Sequence, residues 1–157
     1  MKIVLLVVGK TDVSYLHEAI AVYEKRLTHY IPFETEIIAD IKNSKNLTEE
    51  QQKEQEGEKI KRAVLPGDYV VVLDEKGKEF ASEAFADYLE KKTHTVPKRL
   101  VFIVGGPYGF SDAVYSLASE RLSLSKMTFS HQMVRLFFVE QLYRAMTILN
   151  NEPYHHR

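Results

Sequence analysis

The sequence contains no cysteine, and that absence removes several chemistries at once. Without thiols there is no disulfide, no thiolate nucleophile and no zinc–thiolate site. Long apolar stretches are also missing, because the N-terminal run 3–8 is far shorter than the roughly 20 residues of a membrane span. That run is also short for a signal-peptide core, and no small-residue cleavage site precedes Lys10. We therefore expect a cytoplasmic protein with no membrane partner.

An excess of positive charge is lacking as well. The chain has 21 basic and 22 acidic residues and a formal net charge of -1. Any binding to nucleic acid must therefore rest on a local patch, or on patches from several subunits. The length of 157 residues and the 45% hydrophobic content are typical of one soluble globular domain.

The signatures of the common α/β enzymes are absent too. The sequence has neither the phosphate-binding loop of nucleoside triphosphatases nor the nucleophile elbow of α/β-hydrolases. The first apolar run ends in a single glycine, Gly9, where a dinucleotide-binding fold has several. His17 and Glu18 are not followed by the second histidine of a zinc protease.

Alternating apolar runs and helical patterns predict an α/β fold with a largely parallel sheet. The runs 3–8, 69–73 and 100–104 are continuously apolar, which is typical of strands buried on both faces. The run 33–39 is mixed and is predicted nearer an edge, and 122–124 is a further short segment. Helix starts are predicted at Thr48 (a capping box with Gln51), Ser82 and Ser111, and the last helix from about Ser130 to Asn150.

A glycine-rich loop follows the predicted strand 100–104. Three of the five residues 105–109 are glycine, which lets the backbone turn sharply and approach a ligand closely. The loop lies where parallel sheets bind ligands, at the carboxyl end of a strand. Composition alone leaves two interpretations open, a ligand-binding loop and a plain strand-to-helix turn.

The segment 122–129 is a second candidate for ligand contact. Ser125, Thr128 and the backbone can hydrogen-bond an adenosine, while Leu124, Met127 and Phe129 form an apolar slot for its ring. An ordinary last strand and turn explains the same residues.

The last predicted helix and the tail carry further polar candidates. His131 and Arg135 share one helix face, and the residues after Arg135 are apolar almost all round. Such a helix is either central in a core or divided between core and subunit interface, and the small chain favours the interface. The tail 153–157 is either a frayed end or a segment suited to RNA contact.

Taken together, these segments resemble one family over essentially the whole chain. The strings GGPYG (105–109), LSLSKMTF (122–129), HQMVR (131–135), EQLYRA (140–145) and PYH (153–155) are similar to the ribosomal RNA large-subunit methyltransferase H family, as are VVGK (7–10), EGE (56–58) and LDEKGK (73–78). Ser130 and Phe110 depart from the residues common in that family, and neither change removes a group with obvious chemistry.

The resemblance implies a SPOUT fold, a mostly parallel sheet flanked by helices with a C-terminal trefoil knot, in one domain spanning 1–157. It implies a homodimer that uses S-adenosyl-L-methionine, without a metal, to methylate N3 of a pseudouridine in helix 69 of 23S ribosomal RNA. The RNA partner would be presented on the large subunit or the assembled 70S ribosome. By position, the cofactor contacts carry over to Leu73, Gly105, Leu124, Ser125, Lys126, Met127, Thr128 and Phe129.

The chemistry of the implied reaction gives the remaining polar residues possible roles. The imide N–H must lose its proton as the methyl group is transferred, and Arg135 is a candidate to stabilise the developing anion. His155, His131 and Tyr154 are candidates to accept the proton, and His155 ranks first. The sequence leaves that choice open. Two alternative functions are a non-catalytic RNA-binding dimer and a SPOUT methyltransferase that acts on transfer RNA.

Overall fold

The computed structural model describes residues 1–156 and has five strands and five α-helices in that range. The strands are β1 (Lys2–Val8), β2 (Phe33–Ile38), β3 (Tyr69–Glu79), β4 (Arg99–Val104) and β5 (Glu120–Ser123). The helices are α1 (Ser14–Leu27), α2 (Glu49–Ala63), α3 (Ser82–Thr95), α4 (Asp112–Leu117) and α5 (Met133–Leu149), with a short 3-10 helix at Ser44–Asn46.

The strands form one parallel sheet in the order β2-β1-β4-β3-β5, which confirms the predicted α/β class. The continuously apolar strands β1 and β4 occupy interior positions, and β2 lies at an edge as its mixed composition predicted. Helices α1, α3 and α5 cover one face, where Leu5, Phe102 and Phe138 are fully buried. Helices α2 and α4 cover the other face through Ile60 and Val114.

Two helix starts have the predicted side-chain caps, and a third begins at the predicted residue without one. Thr48 and Gln51 form the capping box of α2, with both reciprocal hydrogen bonds present. Helix α3 begins at Ser82, and the Ser111 hydroxyl accepts from the Val114 amide at the start of α4. Together these bonds satisfy amide groups that a helix start otherwise leaves unpaired.

Two element boundaries differ from the prediction. Strand β3 continues to Glu79, because Gly77 lets it approach β5: a β-carbon there would lie 2.6 Å from the Arg121 carbonyl carbon. Helix α5 begins at Met133, later than the predicted Ser130, although the Ser130 hydroxyl still accepts from the Met133 amide at 3.1 Å. The segment from Leu124 to Gln132 is therefore a long irregular connection between β5 and α5.

Candidate active site

A cavity of about 660 Å³ lies at the carboxyl ends of β3, β4 and β5. The glycine loop after β4, the acidic turn within β3 and the connection after β5 form its walls. This edge is where parallel α/β sheets bind ligands. The volume lies in the range of small-molecule and cofactor sites.

Most of the residues expected to contact the cofactor line this cavity. They are Leu73, Gly105, Leu124, Ser125, Met127, Thr128 and Phe129. Lys126 belongs to the same segment but is not among the lining residues, and its side chain is 87% exposed, 4.0 Å from Glu79. The structure thus brings residues from three separated parts of the chain together around one space.

Local hydrogen bonds give the connection after β5 its shape. The Ser123 hydroxyl donates to the Ser125 carbonyl at 2.7 Å, and the Ser125 hydroxyl accepts from the Met127 amide at 2.9 Å. Thr128 donates to the carboxylate of Glu75, so the β5 connection is tied to the β3 turn across the cavity wall. Serine and threonine at these positions therefore hold the backbone turn as well as offering polar groups to a ligand.

The glycine loop is tightly packed against itself. The Gly109 amide donates to the Gly106 carbonyl at 3.2 Å, and Gly109 has a φ of 82°, which favours glycine. A β-carbon on Gly105 would lie 3.2 Å from the Phe110 ring and 3.3 Å from the Gly109 carbonyl oxygen. A larger residue at Gly105 would therefore press on the rest of the loop.

Two acidic residues of the cavity wall, Asp74 and Glu75, were not among the sequence candidates. Tyr115 donates to Asp74 at 2.7 Å, and burial together with this hydrogen bond raises the pKa of Tyr115 to about 12. The Tyr115 hydroxyl therefore stays a donor that holds the carboxylate in place. An acidic pair directly after the apolar run 69–73 was the signal that could have revealed them.

His131 is the histidine that lines the cavity. Burial lowers the pKa of its imidazole below the ordinary 6.5, and Arg135 lowers it further, whereas Asp12 and Asp40 oppose the shift. The imidazole is therefore mostly neutral at pH 7 and has a nitrogen available to accept a proton.

Arg135 follows the cavity residue Val134 on α5 and is 2% exposed. Its guanidinium donates to the carbonyls of Gly9 and Val8 at 2.8 Å, to the His131 carbonyl at 3.1 Å and to the Thr11 hydroxyl at 3.3 Å. These bonds tie the start of α5 to the end of β1. Arg135 is not among the residues that line the cavity.

The tail is folded against its own protomer as far as the structure describes it. The Tyr154 hydroxyl donates to Glu140 at 3.0 Å, and its ring packs edge-on against Tyr143 at 4.7 Å. His155 Nδ1 lies 3.1 Å from Arg144 Nη1, and the Arg144 guanidinium also pairs with Glu140 at 2.6 Å. A frayed end is therefore wrong for Tyr154 and His155, whereas Arg157 lies outside the described residues.

The tail does not reach the cavity of its own protomer. His155 contacts Arg144, ten residues after the cavity residue Val134 on α5, and its Nε2 atom lies 3.9 Å from Glu83 Oε1 on α3. Neither Tyr154 nor His155 is among the lining residues. The four polar candidates from the sequence thus occupy three places: His131 in the cavity, Arg135 against the end of β1, and Tyr154 with His155 against the second half of α5.

A membrane-spanning helix and a metal-binding cluster are both absent from residues 1–156. No helix in that range is long and apolar enough to cross a bilayer. The same residues contain no cluster of three histidine or acidic side chains that could hold a metal ion.

Comparison with known proteins identifies the family. The family model described as "Predicted SPOUT methyltransferase" matches residues 1–155. Proteins named "Ribosomal RNA large subunit methyltransferase H" are similar throughout: that of Parabacteroides distasonis is 74% identical and that of Phocaeicola vulgatus 64%, each over 156 residues and 99% of both chains. The protein of that name from Christiangramia forsetii is 60% identical over 157 residues, all of both chains. The chain therefore belongs to the ribosomal RNA large subunit methyltransferase H family of SPOUT methyltransferases.

Proposed function

We propose that residues 1–157 act as one SPOUT methyltransferase domain that methylates N3 of a pseudouridine in helix 69 of 23S ribosomal RNA, using S-adenosyl-L-methionine. The observation that carries the proposal is the convergence of seven family-matched residues on one cavity at the carboxyl edge of the sheet. Membership of the family supports methyl transfer as the reaction class. We further propose that the chain carries the trefoil knot implied for the fold.

The cavity has the chemistry that this cofactor requires. The apolar side chains of Leu124, Met127 and Phe129 suit an adenine ring, and the volume of about 660 Å³ suits the whole molecule. The carboxylates of Asp74 and Glu75 give the wall the negative charge that favours a sulfonium cation. When bound, the cofactor supplies an electrophilic methyl group.

His131 is the group that we assign as proton acceptor in the cavity. Its lowered pKa keeps the imidazole neutral at working pH, which is the form that can take the imide proton. Arg135 serves as a positioning residue for it, because the guanidinium holds the His131 carbonyl and the end of β1 together. Direct stabilisation of the anion by Arg135 would require its guanidinium to leave these buried carbonyls.

We propose that the tail acts on the cavity of a partner subunit. Tyr154 and His155 do not line the cavity of their own protomer, so we assign them a role at the cavity of a second copy. The exposed apolar side chains of Met127, Tyr108 and Phe137 lie on or beside the cavity and give such a copy an apolar surface to cover. The homodimer implied by the family fits these observations.

Two measurements test the proposed function. Calorimetric titration of S-adenosyl-L-methionine into the protein should show saturable binding that Gly105→Val abolishes, and absence of binding would favour a non-catalytic RNA-binding dimer. Methyl transfer should then be assayed on ribosomes and on transfer RNA, with mass spectrometry locating the product. Methylation of transfer RNA alone would overturn the ribosomal assignment.

A further inference from the structure

Helix α2 carries an acidic side chain that is buried at an unusual place. Glu56 is 3% exposed, although the sequence around it is polar almost throughout. Its Oε1 atom has no hydrogen-bond partner among residues 1–156, and its Oε2 atom accepts from Gln52 at 3.2 Å. A buried carboxyl with an unpaired oxygen is rare and costs stability, so a sequence retains one for a reason beyond packing.

The carboxyl of Glu56 lies directly behind the glycine loop of the cavity. A β-carbon on Gly106 would lie 2.4 Å from Glu56 Oε1, 2.7 Å from Oε2 and 2.9 Å from Cδ. The next residue continues the contact, because a β-carbon on Gly57 would lie 2.3 Å from the Ser111 hydroxyl. The pair Glu56-Gly57 therefore fits closely against both ends of the turn between β4 and α4.

We propose that Glu56 is a positioning residue, whose side chain, seated behind Gly106, holds the Gly105–Gly109 loop in its cofactor-binding shape. The inference rests on the proposed function, since it assigns the loop to cofactor binding. Glu56 is not among the residues that line the cavity, so it acts through the loop rather than by touching the ligand. The proposal gives a structural role to Glu56 and Gly57, to which the reaction itself gives none.

The surroundings of Glu56 favour the uncharged form. Burial raises the pKa of its carboxyl above the ordinary 4.5, the Gln52 hydrogen bond lowers it in part, and the like charge of Asp40 raises it again. Asp40 follows β2, and Lys59 of α2 is engaged with its carbonyl and that of Ala39. Helix α4 presents the uncharged Ser111 and Val114 to α2.

The direction of the pH dependence follows from this raised pKa. The stabilisation that protonated Glu56 gives the folded protein is fully present below the pKa that its carboxyl has in the unfolded chain. It is lost as the pH rises through the higher pKa of the folded protein. Ionisation places an unpaired charge behind Gly106, which must move towards water and loosen the loop. Cofactor affinity and loop order should therefore fall together as the pH rises.

The test compares wild type with Glu56→Gln, Glu56→Ala and the control Glu58→Gln, which makes the same change at an exposed position of the same helix. Hydrogen exchange of the loop amides is measured without cofactor and expressed as protection factors. S-adenosyl-L-methionine affinity is measured by calorimetry from about pH 5 to about pH 9. The first readout needs no ligand, so it tests Glu56 independently of the proposed function.

We expect wild type and Glu58→Gln to lose loop protection and affinity as the pH rises. Glu56→Gln, which keeps the shape without a charge, should retain both at every pH, and Glu56→Ala should bind about tenfold more weakly at low pH. An affinity in Glu56→Gln as poor as in Glu56→Ala, or the same pH trend in Glu56→Gln as in wild type, would overturn the inference. Wild type that binds no cofactor, yet shows the expected protection differences, would instead count against the proposed function.

Discussion

Two adjacent phenylalanines on α5 provide a matched test of the proposed dimer. Phe138 is fully buried, with its ring centroid 4.7 Å from that of Phe102. Phe137 is 39% exposed and packs against Phe129 at 4.9 Å. Because Phe137 alone of this pair reaches the surface, Phe137→Asp should separate the subunits, whereas Phe138→Asp should unfold the protomer.

The two substitutions should change different free energies, that of unfolding for Phe138→Asp and that of dimerisation for Phe137→Asp. Truncating a buried phenylalanine lowers the free energy of unfolding by about 3–5 kcal/mol, and burying a carboxylate lowers it further. The total approaches the ~5–15 kcal/mol stability of a typical domain. An anchor residue contributes about 2 kcal/mol to the free energy of dimerisation, and a twofold-symmetric dimer contains it once in each subunit. Phe137→Asp should therefore weaken the dimer by ~4 kcal/mol, or roughly a thousandfold in Kd.

Sedimentation velocity over a range of concentrations, with circular dichroism on the same samples, separates these outcomes. Wild type should be dimeric at micromolar concentration, and Phe137→Asp should be folded and monomeric. Leu65→Asp is the control, because Leu65 is 50% exposed and follows α2 on the opposite face of the sheet. A monomeric wild type, or a Phe137→Asp protein that dimerises as tightly as wild type, would refute the reasoning.

Three further predictions concern single residues of the site. Gly105→Ala should weaken cofactor binding modestly, and Gly105→Val should abolish it, because the added side chain must displace Phe110. The circular dichroism spectrum of Gly105→Val should be unchanged. An unchanged calorimetric affinity in Gly105→Val would contradict this. His131→Ala should slow methyl transfer by about 100- to 10,000-fold. Because the pKa of His131 is lowered, the wild-type rate should fall with decreasing pH only below pH 6.5. A full rate in His131→Ala would exclude His131 as the base. Arg135→Met should lower the free energy of unfolding in urea by about 3 kcal/mol or more, because the carbonyls of Val8 and Gly9 lose their donor, and a stability equal to wild type would exclude the anchoring role.

Features that depend on local chemistry were predictable from the sequence. Continuous apolar runs correctly predicted the buried strands β1 and β4, because a strand covered on both faces has no solvent side. Thr48 and Ser111 predicted two helix starts, because their hydroxyls bond amides within the same turn. The glycine loop and the segment 122–129 were ligand-contact candidates from their own residues, and the family strings added Leu73.

Features that depend on distant contacts were not predictable. Glu56 belongs to a polar helix, and its burial results from a loop about 50 residues away in sequence. From the sequence, Arg135 is a cation free to contact the substrate, yet its hydrogen-bond partners in the fold are backbone carbonyls at the end of β1. The tail reads as a polar terminus, although Tyr154 packs against Tyr143 and bonds Glu140. In each case the decisive partner is a group that no local pattern identifies.

The most direct test of the account is a subunit-mixing experiment, because the proposed site takes His131 from one protomer and the tail from its partner. His131→Ala and His155→Ala proteins are purified, mixed one to one, exchanged through mild denaturation, and assayed for methyl transfer to unmethylated ribosomes. Half of the resulting dimers are mixed, and each mixed dimer has one site with both changes and one site with neither. A site shared between subunits should give the mixture about a quarter of wild-type activity, above that of the two parents. Activity no higher than that of the parents, in a mixture shown to contain mixed dimers, would contradict a site shared between subunits.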